Sequence, residues 1–193
     1  MSAKTKRVGN TRLLVEGAMM VALSFALSFL TYSGTWLQGG SISLEIVPLI
    51  IMGLRNGPKW GMSTGFVAGA LQLIMGFSNV MYCPTLITQI GCIMFDYIVA
   101  FTVVGLARPF AKVLGGKTFG VCAGVVIAGL LRFVCHYISG IWLWGAYAPE
   151  GQPVWLYSLS YNGTYMSVNI ILAAVVIVLL YKSAAKQIMP EIE

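Results

Sequence analysis

Between Arg132 and Asn162 the chain sets His136, Trp142, Trp144, Tyr147, Trp155, Tyr157, Tyr161 and Asn162 on an apolar segment and the loop after it, and three of the five tryptophans fall there. Aromatic faces that sandwich a flat ring, with one imidazole and one amide to read its edge, suit a small heteroaromatic ligand. The same residues suit an interfacial belt, in which Trp and Tyr lie at headgroup level. Spacing sharpens the first reading. Arg132, His136, Gly140 and Trp144 recur every four residues and so project from one face of a helix. Gly140 leaves a gap between a hydrogen-bonding ring and a stacking ring, and a flat ligand fits such a gap.

Ionisable groups inside apolar runs carry the second signal, because a charge at bilayer depth is costly and ordinarily faces a partner or a cavity. Glu16, Glu45, Asp96 and Arg132 are in this position. Glu16 follows Arg12 by four residues near a helix end, which predicts an ordinary surface pair. Asp96 lies about twelve residues into its helix and Arg132 about fourteen, near mid-membrane at a rise of about 1.5 Å per residue. Arg132 then has two possible partners. Pairing with Asp96 would make both structural; pairing with Glu45 would free Asp96 to face a ligand. A rival reading makes His136 and Asp96 the acid and base of an intramembrane enzyme, but no nucleophile or metal cluster stands in register with them, and the chain is expected not to be an enzyme.

The elements that must position these residues follow from composition. In 193 residues, 58% are hydrophobic and only 9% charged, with a mean hydropathy of +0.84, which excludes an ordinary soluble domain. A spanning helix needs roughly 20 apolar residues. The expectation is therefore an all-α, polytopic integral membrane protein, a single transmembrane domain over residues 1–193 with six transmembrane helices near 11–31, 42–55, 58–77, 84–108, 118–145 and 160–182. No alternating pattern suggests a membrane barrel. Lys4, Lys6, Arg7 and Arg12 precede the first helix; Arg55 and Lys59, then Arg108, Lys112 and Lys117, fill alternate loops; Lys182 and Lys186 follow the last helix. The other loops, near 32–41, 78–83 and 146–159, contain no Lys or Arg. The positive-inside rule then places both termini in the cytoplasm and the aromatic loop outside. The net charge of +6 reports orientation in the lipid bilayer rather than nucleic-acid binding.

Lesser signals are read plainly. The first apolar segment lacks a small-residue cleavage site and is expected to be retained. Cys83, Cys92, Cys122 and Cys135 show no CxxC spacing and are expected to pack rather than to form disulfides or bind metal. Asn162-Gly163-Thr164 fits a glycosylation sequon at a predicted helix start and has no special claim. Gly115-Gly116-Lys117-Thr118 looks like the end of a phosphate-binding loop, but Ala111 stands at the first glycine position and no strand precedes it. Ala18, Ala22 and Ala26, with Ser24 and Ser28 nearby, make a small-residue strip that serves either packing within the bundle or docking of a partner subunit.

Four segments together carry a family resemblance: Gly39-Gly40-Ser41-Ile42-Ser43-Leu44; Asp96-Tyr97 with Ala100-Phe101; His136-Tyr137-Ile138-Ser139-Gly140 with Trp144-Gly145; and Tyr157 to Tyr161-Asn162-Gly163. The chain resembles the thiamine-specific substrate-binding subunit, or S component, of the energy-coupling factor transporters over nearly its whole length. The spacing from His136 to Asn162 is the specific part. The resemblance implies a six-helix bundle in a bacterial plasma membrane that captures thiamine from outside. It implies as partners a coupling transmembrane subunit, met by the alanine strip, and two cytoplasmic ATPase subunits; ATP is used there, and the chain has no cofactor of its own.

Carried over by position, the site is Trp36, Asp96, Tyr97, His136, Gly140, Trp144, Tyr157 and Asn162, with Tyr82 a further candidate. The family position at Asp96 is often glutamate, so the shorter side chain shifts the contact by a methylene or needs a water. Thiamine joins a permanent thiazolium cation to a neutral aminopyrimidine, which a buried carboxylate and aromatic faces would suit. Phosphate esters should fit less well, since nothing basic in the outer loops would receive them. Rival ligands are other ring vitamins or precursors such as pyridoxine or hydroxymethylpyrimidine.

Overall fold

The structure, a computed structural model, describes residues 9–34 and 40–190. Among these, helices run Asn10–Ser28 (α1), Ile46–Asn56 (α2), Pro58–Met75 (α3), Phe77–Met81 (α4), Leu86–Val113 (α5), Thr118–Trp142 (α6) and Val154–Ile188 (α7). A short 3-10 turn, Gly145–Tyr147, lies between the last two. The described residues form no strand, only an isolated antiparallel bridge between Tyr32 and Ile42. Four helices, α1, α5, α6 and α7, are long and apolar enough to cross a membrane; α2 is a shorter apolar helix of 11 residues.

Three differences from the expected boundaries bear on function. First, α7 begins at Val154, directly after Pro153. Proline lacks the N–H that a helix start leaves unpaired, so it suits that boundary. Trp155 and Tyr157 therefore stand on the same helix as Tyr161, not in the loop expected over 146–159. Second, α5 is not a uniform α-helix: Ile93–Ile98 is a π turn and Val103–Leu106 a 3-10 turn. Single π turns inside α-helices recur at functional sites, and this one carries both Asp96 and Tyr97. Third, α6 ends at Trp142, so Trp144 lies just past the helix instead of continuing its stripe.

Close backbone contact holds the helices together. A Cβ added to Gly61 of α3 would lie 2.5 Å from Gly53 Cα of α2 and 2.7 Å from the Gly105 carbonyl oxygen of α5. One added to Gly105 would lie 2.2 Å from Gly61 C. Three helices thus meet where none has a side chain, an approach that only small residues permit. Around this point Leu49, Ile50, Leu54, Val104, Val121, Val125 and Ile177 form a fully buried core.

The α1 helix turns Leu13, Gly17, Val21 and Ser24 inward. Ala18, Ala22 and Ala26 are exposed on its other side, so the strip does not pack this bundle. Near the start of α1, Glu16 Oε1 pairs with Arg55 Nε at 2.8 Å and accepts from Asn56 Nδ2 at 3.3 Å. The expected partner, Arg12, is thus displaced by residues from the end of α2, which tertiary packing brings closer. Arg108 NH1 donates to the Arg55 carbonyl at 2.8 Å, gathering the ends of three helices at one face.

Gly61→Ala should destabilise the bundle by roughly 1–3 kcal/mol, because the clashing atoms are backbone and cannot rotate away. Gly163→Ala is the matched control. Its nearest neighbour, Phe133 Cε2, would lie 4.0 Å from the new Cβ, and alanine is the better helix former. Thermal unfolding in detergent should lower the Tm of the first variant and leave the second at or above wild type. An unchanged Tm for Gly61→Ala would contradict the close approach.

Candidate functional site

Opposite the Glu16–Arg55 face, the bundle encloses a cavity of about 350 Å³, within the range of small-molecule sites. It brings together Asp96, Tyr97, His136, Gly140, Trp144, Tyr157 and Asn162 from three helices and a turn. Trp36 lies outside the described residues. Tyr82 is 71% exposed and does not line the cavity.

Asp96 is the most densely held carboxylate. Its Oδ2 accepts from the Trp144 indole N–H at 3.0 Å and from the Cys92 thiol at 3.5 Å, and its Oδ1 faces His136 Nδ1 at 3.3 Å. The imidazole presents Nδ1–H to the carboxylate. Its Nε2 is buried and has no partner among the described residues, which leaves that nitrogen for a ligand. An ionised carboxylate offers about four lone-pair sites. Three protein donors fix its direction beside the cavity. Beside it, the Tyr97 hydroxyl donates to the Gly76 carbonyl at 2.9 Å and accepts from Asn79 Nδ2 at 3.2 Å.

Arg132 settles on Glu45. Its NH2 lies 2.8 Å from Glu45 Oε1, and its guanidinium carbon sits 4.2 Å from the centroid of the Phe101 ring. Gln72 Nε2 donates to the other Glu45 oxygen at 3.0 Å, and Ser24 Oγ donates to the Glu45 carbonyl at 2.7 Å. Of the two pairings open from sequence, this one leaves Asp96 facing the cavity with His136.

On α7, Tyr157, Tyr161 and Tyr165 follow at intervals of one turn, with ring centroids 5.7 and 6.0 Å apart, and all three line the cavity. Asn162 is fixed on both sides. Its Nδ2 donates to the His136 carbonyl at 3.2 Å and to the Ser158 carbonyl at 3.1 Å, and its Oδ1 accepts from the Tyr165 hydroxyl at 2.9 Å. Gly140 lines the cavity and also serves the packing of two helices. A Cβ there would meet Ser158 Oγ at 2.2 Å and Asn162 Nδ2 at 2.9 Å, so the absence of a side chain brings α6 against α7.

The aromatic segment divides between its two readings. Trp142, Tyr147 and Trp155 are exposed, as an interfacial belt requires, while Trp144, Tyr157 and Tyr161 line the cavity. Gln72, Asn79, Cys92 and Asn169 were missed from sequence. Asn169 donates to the Ser41 carbonyl at 2.9 Å and accepts from Ser43 N–H at 2.8 Å, tying the segment before α2 to α7. Amides within apolar runs were the available signal for Gln72 and Asn169. Cys92 gave none.

Comparison with known proteins gives one consistent result. A family model described as "Thiamine transporter protein" matches residues 14–189. The thiamine transporter ThiT of Bacillus subtilis (strain 168) is 37% identical over 185 residues, covering 90% of this chain and 92% of that one. ThiT of Lacticaseibacillus paracasei is 30% identical over 174 residues, covering 85% and 84%. A solved structure of ThiT from Listeria monocytogenes superposes with a TM-score of 0.77 at 25% identity, covering 94% of this chain and 99% of that one.

The contact at Gly140 generates a test that needs no ligand. Gly140→Ala should cost roughly 1–3 kcal/mol of stability by forcing Ser158 and Asn162 outward. Adding Ser158→Gly should return part of that loss, since it removes the nearest clashing atoms. A double-mutant cycle read by thermal unfolding measures the coupling. Strictly additive losses would contradict the contact.

Proposed function

The chain belongs to the thiamine transporter protein family, a family of transport proteins rather than enzymes, and from that premise we propose that it captures thiamine at the outer face of a bacterial plasma membrane. It does so as the S component of an energy-coupling factor transporter, with six crossings and both termini in the cytoplasm. Its partners are a coupling transmembrane subunit and two ATPases, which use the ATP; the chain itself uses no cofactor. The site is Asp96, Tyr97, His136, Gly140, Trp144, Tyr157 and Asn162, with Trp36 as an eighth member.

The observation that carries this reading is the oriented Asp96 carboxylate beside Trp144 and Tyr157. Thiamine needs a negative charge and aromatic faces together. A desolvated cation–π contact contributes about 2 kcal/mol and a hydrogen bond to a charged group about 1.5–3 kcal/mol. Ring stacking adds about 0.5–1.5 kcal/mol per pair. Together these terms favour an aromatic cation over a neutral ring of the same shape. The exposed alanine strip supports the docking role, since close helix approach depends on small side chains.

Purified protein should bind thiamine without ATP, giving heat in calorimetry and quenching of tryptophan fluorescence as Trp144 stacks on the ligand. Asp96→Asn should weaken thiamine on the order of ten- to hundredfold and an uncharged pyrimidine analogue much less. Equal losses for both ligands would place Asp96 outside the site; absence of heat and quenching would defeat the function itself.

Coupling is tested separately. Ala22→Trp should bind thiamine as wild type does yet fail to support ATP-dependent uptake in vesicles holding all four subunits. Normal uptake by that variant, or lost binding in the isolated subunit, would contradict the docking role of the strip.

A further inference from the structure

Glu45 lines the same cavity as Asp96, yet its carboxylate is already occupied. Arg132 holds one oxygen at 2.8 Å and Gln72 the other at 3.0 Å. Glu45 therefore offers the cavity no free contact and balances the charge of Arg132 instead. Arg132 lines the cavity too, one helical turn from His136, and residues so spaced have Cβ atoms about 5–6 Å apart. Without its partner, this guanidinium would set a permanent positive charge next to the imidazole that holds Asp96. At a distance of about 10 Å and an effective dielectric constant of about 20, one unit charge changes the affinity of a cation by on the order of tenfold. Gln72 reinforces Glu45 and not Arg132, and the Phe101 face on the guanidinium keeps it seated.

We propose that Glu45 is a specificity-determining residue: by cancelling Arg132 it leaves the charge of Asp96 unopposed, so that the cavity selects an organic cation over a neutral ring of the same shape. The proposal rests on the reading of this cavity as a thiamine site and adds to it a residue that acts through charge. A purely structural pair, joining α2 to α6, would affect cationic and neutral ligands alike.

The test compares, by calorimetry on the full chain in detergent, thiamine and an uncharged analogue carrying thiophene in place of the thiazolium ring. Glu45→Gln should lower the ratio of thiamine affinity to analogue affinity by on the order of tenfold. Glu45→Gln combined with Arg132→Gln should bring the ratio back to within about threefold of wild type, because both charges are gone. A ratio unchanged in Glu45→Gln while both affinities fall together would reduce the pair to a structural link. A ratio still depressed in the double variant would show that Arg132 is not the cause. Should Glu45→Gln fail to fold, Arg132→Gln alone decides the matter: the ratio should rise, and a constant or lower ratio overturns the proposal. Wild-type protein that bound neither ligand would defeat the thiamine reading first, an outcome distinct from all of these.

Discussion

Charged groups carried into an apolar bundle must find their hydrogen-bond partners inside it, and this requirement organises the functional end of the molecule. Breaking a buried ion pair by removing one partner costs about 3–5 kcal/mol, because the other charge is left without compensation. Here Glu45 and Arg132 join α2 to α6, Gln72 brings in α3, and Ser24 brings in α1 through the Glu45 carbonyl. Asp96 does the same between α5, α6 and the turn that follows, through His136 and Trp144. The two networks differ in what they leave over. The first is neutral within itself. The second presents a carboxylate and an unpartnered imidazole nitrogen to the cavity.

Glycine contacts and helix irregularities make these networks reachable. Gly53, Gly61 and Gly105 draw three helices into backbone contact, and Gly140 lets the Ser158 and Asn162 side chains of α7 lie against α6. The π turn Ile93–Ile98 lies where Asp96 must meet donors from α6 while Tyr97 reaches Gly76 and Asn79. Asn169, bonded to both Ser41 and Ser43, extends the order of α7 to the segment above the cavity. Rigidity of this kind suits a binding site, since interactions already oriented before the ligand arrives cost less to use.

Much of this was legible in the sequence. Hydropathy and the rarity of charge gave an all-helical membrane class, and seven of the residues proposed for the site come to one cavity. The pairing of Arg132 was narrowed to two partners but not decided, because register between α2, α5 and α6 depends on packing that no single segment encodes. Gly140 comes to the cavity, but its part in packing was not legible, because spacing along one helix says nothing about what a neighbouring helix places beside it. The start of α7 was missed because aromatic residues that line a cavity and those that sit at an interface have the same composition. Cys92 gave no sign at all, since its role exists only through its distance to Asp96.

The central claim is that the charge of Asp96 and the aromatic faces beside it receive thiamine. A structure of the protein determined with thiamine bound tests this most directly. The account predicts ligand density within the cavity, with one ring stacked on Trp144 or Tyr157 and the thiazolium within about 4–6 Å of the Asp96 carboxylate, the range in which opposite charges act strongly on each other. Density outside the cavity, or a ligand whose cation faces away from Asp96 toward Arg132, would contradict it.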